Sequence, residues 1–391
     1  MALISRRAWA TINLAALKKN LALVRSYSPN SGIYPVIKSN AYGHGMAEAA
    51  AALSSTHIKL SGLAVATMSE AVCLRELEPD LPILLLNGFM TREELRECLA
   101  RRIETVVHAD YQLPILDQVL AEEALSGNRK LWVKYNTGMN RLGLSQEQAI
   151  EAYLKIRAYP GTQLVLMSHL ACADAPNTPE FAQFTEDQRT RLAKAKGELL
   201  SKGQQTVETS MAASAGILQW PETHLDYVRP GVMLYGSSPL ADQTGEELGL
   251  QPVMTLRSRI IAIRDLKAGD AIGYGATYVC ERDTRMATVS IGYGDGYPRS
   301  AGNGTPVLVH TASGKVRTRL IGRVSMDMIT LDLTGIDDAQ INDEVTLWGE
   351  DLCADEVASA AGTISYELFC KVTSRVSLSY TDRDSGSCMC S

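Results

Sequence analysis

The feature that most constrains the fold is a regular pattern between residues 32 and 235, where short β-branched or leucine-rich runs alternate with longer amphipathic segments. Such alternation is typical of βα units on a parallel sheet. The short runs are residues 33–37, 63–66, 83–86, 104–107, 131–135, 164–167, 206–208 and 227–229. Eight strands within about 200 residues predict a (β/α)8 TIM barrel. A doubly wound open sheet is the alternative that this count leaves open.

The pattern changes after Pro252, where strand-like alternation with glycine-rich punctuation replaces the βα rhythm. The expected strands are residues 256–263, 286–291, 307–310, 316–321, 328–333 and 376–380. The predicted fold class is therefore α/β, a (β/α)8 TIM barrel followed by a mainly β C-terminal domain. We place the barrel domain at residues 1–245, the β domain at 246–380, and a tail that we expect to be disordered at 381–391.

Composition excludes several function classes. Of the 391 residues, 46% are hydrophobic and 21% charged, and no apolar run approaches the roughly 18 residues of a membrane span. The net charge of -6, with both signs scattered, argues against a nucleic-acid partner. Six of the eight cysteines are widely scattered, with no C-x-x-C pair and no His at zinc-ligand spacing, so no metal is expected. The first residues lack a secretory pattern, and we expect a cytoplasmic protein.

The first strand carries the strongest candidate for chemistry, because it ends in Lys38 within the segment YPVIKSNAYGHG. In a TIM barrel the carboxyl end of a strand is where the active site lies. Burial there would favour the neutral amine, which can form a Schiff base. The alternative is an ordinary rim lysine that reaches solvent. The Gly-His-Gly that follows Tyr42 favours the functional reading, since glycines allow close approach of a ligand.

Polar residues follow the later strands at the same rim. They are Lys134 and Arg141 around the end of the fifth strand, His169 and Asp174 after the sixth, Ser214 after the seventh, and Arg229 at the end of the eighth. Each alone is more often structural. Together, Ser214 at a helix start and the backbone of Gly231 and Val232 predict a phosphate site of the kind found near strands seven and eight of such barrels. A lysine facing a phosphate site, with an arginine between them, suits pyridoxal 5'-phosphate.

The β domain contains two tyrosines flanked by glycines, Tyr274 in GYGATY and Tyr293 in IGYGDGYPR. Glycine on both sides weakens a strand and exposes the phenol, which contributes little to stability. Hairpin corners or β-bulges are the structural alternative. A polar loop, GRVSMDM, follows and carries Met326.

These segments resemble the pyridoxal-phosphate-dependent alanine racemase family of the barrel-plus-β-domain type. The resemblance covers nearly the whole chain, in the order VIKSNAYGHG, NTGMNRLG, SHLACAD, AASAG, VRPGVMLYG, GYGATY, IGYGDGYPR, GRVSMDM and TISYE. It implies an isomerase that interconverts L-alanine and D-alanine by a two-base mechanism and supplies D-alanine for peptidoglycan. It also implies a head-to-tail homodimer, in which the β domain of one chain completes the active site on the barrel of the other.

The resemblance implies a role for each matching residue. Lys38 would hold the cofactor and then act as one base, and Tyr274 of the partner chain would be the opposing base. The cofactor-binding set that it implies is Lys38, Tyr42, Arg141, His169, Ser214, Arg229, Gly231, Val232 and Tyr366. Arg141 and the backbone of Met326 of the partner chain would hold the substrate carboxylate. The substrate entryway that it implies is Asp174, Tyr293, Arg299, Arg323 and Ile364. Lys134 matches a lysine that some members carry as a carbamate.

The sequence departs from the family pattern at Asn136, where Asp is common, and at Gly273, where Ser often precedes the tyrosine. The alternatives to an alanine racemase are a barrel-type amino-acid decarboxylase, a broader amino-acid racemase, a non-catalytic pyridoxal-phosphate carrier and a sugar-phosphate barrel enzyme.

Overall fold

The computed structural model describes residues 7–122 and 129–382. Thr381 ends the last strand, whereas the rest of the predicted tail, from residue 383 and including Cys388 and Cys390, lies outside the described residues.

The strands of the described residues fall into a barrel set and a β-domain set. They are β1 Ala8–Asn13, β2 Gly32–Ile33, β3 Leu63–Val65, β4 Ile83–Leu85, β5 Ile103–Val107, β6 Arg129–Lys134, β7 Thr162–Met167, β8 Glu208–Ser210, β9 Tyr227–Val228, β10 Met254–Leu266, β11 Ala271–Ile272, β12 Tyr278–Val279, β13 Thr284–Val289, β14 Pro306–Thr311, β15 Gly314–Arg319, β16 Ile329–Asp332, β17 Glu344–Trp348 and β18 Ser377–Thr381.

The helical segments of the same residues mostly follow barrel strands. They are α1 Leu14–Tyr27, α2 Lys38–Tyr42, α3 Met46–Ser54, α4 Met68–Leu77, α5 Arg92–Ala100, α6 Gln112–Glu122, α7 Gln146–Arg157, α8 Pro179–Ser201, α9 Ser214–Gln219, α10 Ala354–Ala360 and α11 Ser365–Lys371. Thr67 and Ser145 open α4 and α7 with capping boxes, which explains why the chain turns helical at those residues.

The first sheet is a closed barrel and confirms the predicted TIM-barrel fold. Its strands pair in parallel in the order β2-β9-β8-β7-β6-β5-β4-β3. A parallel bridge between Val36 and Ala64 joins the two ends of this order, so the sheet closes and the open-sheet alternative is wrong. Pro35 has no N–H to donate, and β2 ends before it, yet Ile37 still donates to the carbonyl of Ala64 at 2.9 Å. Lys38 therefore follows directly on the barrel wall.

Burial along the barrel strands explains their sequence. Every residue of β3, β4 and β5 is buried, as expected for parallel strands covered on both faces. Inside the barrel the rings of Tyr34 and Trp132 meet edge to face at 5.2 Å. The rim is thus set on a packed and rigid core.

The second sheet forms the mainly β domain and contains two strands, β1 and β17, that the sequence reading did not anticipate. Its strand order is β15-β14-β17-β10-β1-β18, and β13 pairs with β10 and β16. β1, at the start of the chain, lies antiparallel to β10 and parallel to β18. The β domain is therefore built from both ends of the chain. No helix in the described ranges is long and apolar enough to cross a membrane.

Candidate active site

Lys38 lies at the barrel rim, half-buried, where the first strand ends. Burial lowers the pKa of its amine below the ordinary lysine value, and the nearby guanidinium of Arg141 lowers that pKa further. A larger fraction of neutral amine makes this lysine a better nucleophile and base than a solvated one.

The chain leaves Lys38 through a left-handed turn that contains no glycine. Ser39, Asn40, Ala41 and Tyr42 all have φ between 53° and 55°. This conformation costs about 1–2 kcal/mol per residue, so the surroundings must hold it. One contact that does so is the N–H of Ser39, which donates to the carboxylate of Glu70 at 2.6 Å.

A hydroxyl-lined cradle lies next to this turn. The Oγ of Ser214 accepts the N–H of Gly231 at 2.9 Å, and a Cβ added at Gly231 would lie 2.7 Å from the phenol oxygen of Tyr42. Tyr366 lies beside Tyr42, with ring centroids 6.0 Å apart, and Val232 begins a short 3-10 segment. Burial raises the pKa of both phenols, so they remain hydrogen-bond donors. Donors converging on a glycine suit an oxyanion such as phosphate.

Arg229 lies deep in the same rim, with only 3% of its surface exposed. Its guanidinium donates to the carbonyl oxygens of Ser168 at 2.7 Å and Met211 at 3.3 Å, and to the hydroxyl of Ser210. Burial lowers its pKa to about 10, so the group stays protonated at neutral pH. It can therefore donate hydrogen bonds and cannot accept them.

The remaining basic residues of the rim are close enough to influence one another. Lys134 is buried, and its pKa falls to about 8 because of burial and the nearby Arg229, Arg141 and Lys38. Burial and the same cations hold the pKa of His169 well below its usual value, so its imidazole is neutral. The rim is an electropositive site suited to an anionic ligand.

Asn136, one of the departures from the family pattern, has a local role. Its side-chain oxygen accepts the N–H of Gly138 and of Asn140, while its amide donates to the side-chain oxygen of Asn140 at 2.9 Å. A carboxylate could not make the last bond. The substitution thus changes a turn beside Arg141 and leaves the rim assembled.

The β domain presents the other predicted residues on exposed loops. Tyr274 lies between Gly273 and Gly275, which both have φ above 70°, and it is 72% exposed. Tyr293 and Met326 are 41% and 53% exposed. Their loops are joined because the N–H of Tyr293 donates to the carbonyl of Ser325 at 3.0 Å. A single chain therefore places the phenol of Tyr274 in an open position.

The predicted entryway residues divide between the two domains. Asp174 and Ile364, together with Tyr366, line a cavity of about 1280 Å³ between the barrel loop 238–244 and the β domain. Arg299 and Arg323 are exposed on the β domain and do not line that cavity among the described residues.

Sequence reasoning missed two residues that serve the rim. Glu70 holds the turn after Lys38, and Ser210 accepts from Arg229. The sequence signal for Glu70 was the spacing Thr67-x-x-Glu70, which predicts a helix cap and gives no hint of the second contact.

Barrels that end in such a rim and continue into a β domain form a class of two-domain (β/α)8 enzymes, and this chain has that architecture. Residues 12–239 match the alanine racemase N-terminal domain family, and residues 253–380 match the alanine racemase C-terminal domain family. The alanine racemase of Hahella chejuensis is 47% identical over 379 residues, which are 96% of this chain and 98% of that protein.

Solved structures agree with the sequence relatives. The biosynthetic alanine racemase from Pseudomonas aeruginosa has a TM-score of 0.87 and 40% identity, over 96% of this chain and 99% of that one. The alanine racemase of Bartonella henselae, solved with covalently bound pyridoxal phosphate, has a TM-score of 0.82 and 26% identity, over 96% and 99% of the two chains. The chain belongs to the alanine racemase family, and it is an isomerase that interconverts L-alanine and D-alanine. These matches favour this activity over the decarboxylase, carrier and sugar-phosphate alternatives.

Proposed function

We propose that the chain binds pyridoxal 5'-phosphate at the barrel rim and racemises alanine with two bases, Lys38 and Tyr274. The observation that carries this proposal is that a lysine of lowered pKa lies on the same barrel rim as a hydroxyl-lined cradle. The related Bartonella henselae enzyme holds that cofactor covalently.

The residues present fit the cofactor. Ser214, Tyr42, Tyr366 and the backbone of Gly231 and Val232 would hold its phosphate, and the missing Cβ of Gly231 keeps their cradle open. Lys38 would hold its aldehyde carbon. When bound, pyridoxal phosphate supplies a ring that spreads the negative charge left at Cα after proton removal.

Arg229 limits how far that charge spreads. Its guanidinium keeps its protons at neutral pH and would face the ring nitrogen as a hydrogen-bond donor. An acceptor opposite such a donor stays unprotonated, because Arg229 has no proton to give at this pH. His169, neutral in this rim, would link Arg229 to the incoming Tyr274.

Racemisation requires proton transfer on both faces of Cα, so the two bases must approach from opposite sides. The amine of Lys38 serves one face from the barrel. The phenol of Tyr274 would serve the other, and its exposure in its own chain supports delivery to a second copy. Arg141 and the backbone N–H of Met326 would hold the carboxylate of alanine.

A head-to-tail homodimer follows from this assignment. Apolar side chains are exposed on the β domain at Val279 and Met328, and on the barrel side at Met90 and Tyr111. In a head-to-tail dimer these exposed apolar side chains of both domains would be available for burial. In such a dimer Asp174 and Ile364 of one chain would form the substrate entryway with Tyr293, Arg299 and Arg323 of the other.

Two further parts of the proposal concern Lys134 and the cellular role. Lys134, with a pKa of about 8 and cations around it, is about half neutral near pH 8, so its amine can add carbon dioxide and release a proton to give a carbamate anion. The product D-alanine would supply peptidoglycan synthesis. All six described cysteines are free thiols, which supports a reducing, cytoplasmic setting.

The decisive experiment is a visible spectrum of the purified protein before and after borohydride, with peptide mapping and chiral chromatography of L-alanine reactions. We expect a visible band that borohydride removes, a reduced cofactor adduct on Lys38, and formation of D-alanine. An unmodified Lys38 in an active preparation would overturn the assignment.

A further inference from the structure

His44 is a buried histidine next to the left-handed turn, and no role in the chemistry described above uses it. Only 1% of its surface is exposed. Its Nδ1 lies 3.0 Å from the carbonyl oxygen of Ala41 and 2.9 Å from that of Tyr42. Both carbonyls belong to the strained turn that separates Lys38 from the phosphate cradle.

The protonation state of His44 follows from its contacts. Two carbonyl oxygens face Nδ1, so this nitrogen carries the hydrogen and donates it. Burial lowers the pKa of the ring to about 4, so the imidazole is neutral at working pH. Nε2 has no hydrogen-bond partner in the part of the chain that the structure describes. The neutral ring therefore has one N–H group, and this group donates to the carbonyl oxygens of the turn.

The ring of His44 packs against Tyr235, and so does the ring of Tyr42. Tyr235 lies 4.6 Å from the His44 ring and 4.8 Å from the Tyr42 ring, centroid to centroid. The hydroxyl of Tyr235 donates to the carbonyl of Val36, two residues before Lys38. Phe369 of α11 closes the other side of the His44 ring at 5.1 Å. These packed side chains thus connect the segment that carries Lys38 to the phenol of Tyr42, which lies next to Gly231.

We propose that His44 is a positioning residue that fixes the left-handed turn, and with it the separation between the Lys38 amine and the phosphate cradle. The proposal rests on the proposed cofactor-binding function of Lys38 and Tyr42. The carbonyl of Ala41 also accepts the backbone N–H of His44 at 3.0 Å, whereas the donor to the carbonyl of Tyr42 is the imidazole, at 2.9 Å. Without this donor, the carbonyl of Tyr42 would be buried without its hydrogen bond. Because that costs free energy, we expect the turn to relax toward ordinary φ values and expose the carbonyl to water.

The test compares variants that separate the donor from the packing. His44→Asn keeps an N–H one atom beyond Cγ, where Nδ1 now lies, whereas His44→Leu has the same branched shape without a donor. His44→Phe keeps a ring between Tyr235 and Phe369 and also lacks the donor. His310→Phe removes a partly buried histidine bond in the β domain, to Thr346, and is the control.

The readout is the Kd of each cofactor-free protein for pyridoxal 5'-phosphate, with circular dichroism to show folding. We expect Kd to rise about tenfold or more in His44→Leu and His44→Phe, and to stay within about threefold in His44→Asn and the control. Wild-type affinity in His44→Phe, or equal loss in His44→Asn and His44→Leu, would overturn the role of His44. If His44→Phe does not fold, the Asn and Leu pair decides. Failure of the wild-type protein itself to bind the cofactor would refute the proposed function instead.

Discussion

The two halves of the proposed active site differ in how completely one chain builds them. On the barrel, Lys134, Ser214 and Arg229 are buried, hydrogen-bonded or electrostatically coupled, and anchored where strands end. On the β domain, Tyr274, Tyr293 and Met326 stand on exposed loops. The barrel half is pre-organised within a chain, whereas in the proposed dimer the β-domain half would be completed only when the partner's surface covers it.

The difference extends to titration. Burial moves the pKa values of Lys38, Lys134, His169 and Arg229 in the direction that disfavours charge. Such shifts cost folding free energy at neutral pH, because the unfolded chain binds these protons more tightly, and they tune the rim groups for chemistry. The exposed loops contribute side chains whose surroundings would depend on the partner chain in the proposed dimer.

The largest expected effect comes from separating the two halves onto different chains. Lys38→Ala and Tyr274→Phe dimers should each lose most activity, Lys38→Ala by at least about 10⁴-fold. A purified heterodimer of the two variants contains one site that lacks both residues and one that has both. We expect about half of the wild-type activity in that heterodimer.

A matched control makes this complementation decisive. Pairing Lys38→Ala with the double variant Lys38→Ala, Tyr274→Phe leaves no site with both residues, and it should stay inactive. If both bases came from the same chain, the first heterodimer would have only the average activity of the Lys38→Ala and Tyr274→Phe dimers.

The next effect concerns Tyr274 alone. In Tyr274→Phe the Cα hydrogen of one alanine enantiomer should still exchange with deuterated water through Lys38, whereas exchange of the other should fall by about 10²–10⁴-fold. Mass spectrometry of each recovered enantiomer measures the exchange, and Tyr278→Phe, in the adjoining strand β12, is the control. Equal loss for the two enantiomers would contradict the two-base assignment.

The same contrast explains what the sequence could and could not predict. Lys38, Arg229 and Ser214 were predictable because strand ends in a barrel converge on one rim, so their order along the chain implied their proximity. The four left-handed residues from Ser39 to Tyr42 were not predictable, since no glycine marks them and contacts such as Glu70 hold them from another βα unit. β1 was missed for a similar reason, because its partners β10 and β18 lie far along the chain.

A smaller effect is expected at Arg375, which braces the exposed half. Its guanidinium contacts the carboxylates of Asp295 at 3.1 Å and Asp327 at 2.6 Å, and so ties the Tyr293 loop to the Met326 loop. Arg375→Ala should raise KM for alanine about fivefold and change kcat less, as expected for the loss of a partly exposed ion pair that positions a carboxylate contact. Lys267→Ala, which breaks the exposed pair with Asp283, should leave both constants unchanged. A fall in kcat at constant KM would argue against this bracing role.

The smallest effect on activity is expected from substitution of Glu104. This substitution instead tests how the pH affects the stability of the barrel. This carboxyl is buried inside the barrel, where it accepts from the phenol of Tyr34 at 3.0 Å and the indole N–H of Trp132 at 2.8 Å. Burial raises its pKa to about 7, and the ammonium of Lys130 only partly offsets this. Because the folded-state pKa is above the unfolded value near 4.5, the folded barrel is favoured below pH 4.5, and this contribution is lost as the pH rises through about 7.

The shift corresponds to about 3 kcal/mol, so ionisation of Glu104 opposes folding at neutral pH. Glu104→Gln keeps an oxygen that can accept from Tyr34 or Trp132, and it cannot ionise. We expect the Tm of the wild type to fall between pH 5 and pH 8 more steeply than that of the variant, while racemase activity stays the same. Parallel pH profiles of Tm would show that the carboxyl is already ionised in the folded barrel, so that burial inside the barrel does not shift its pKa.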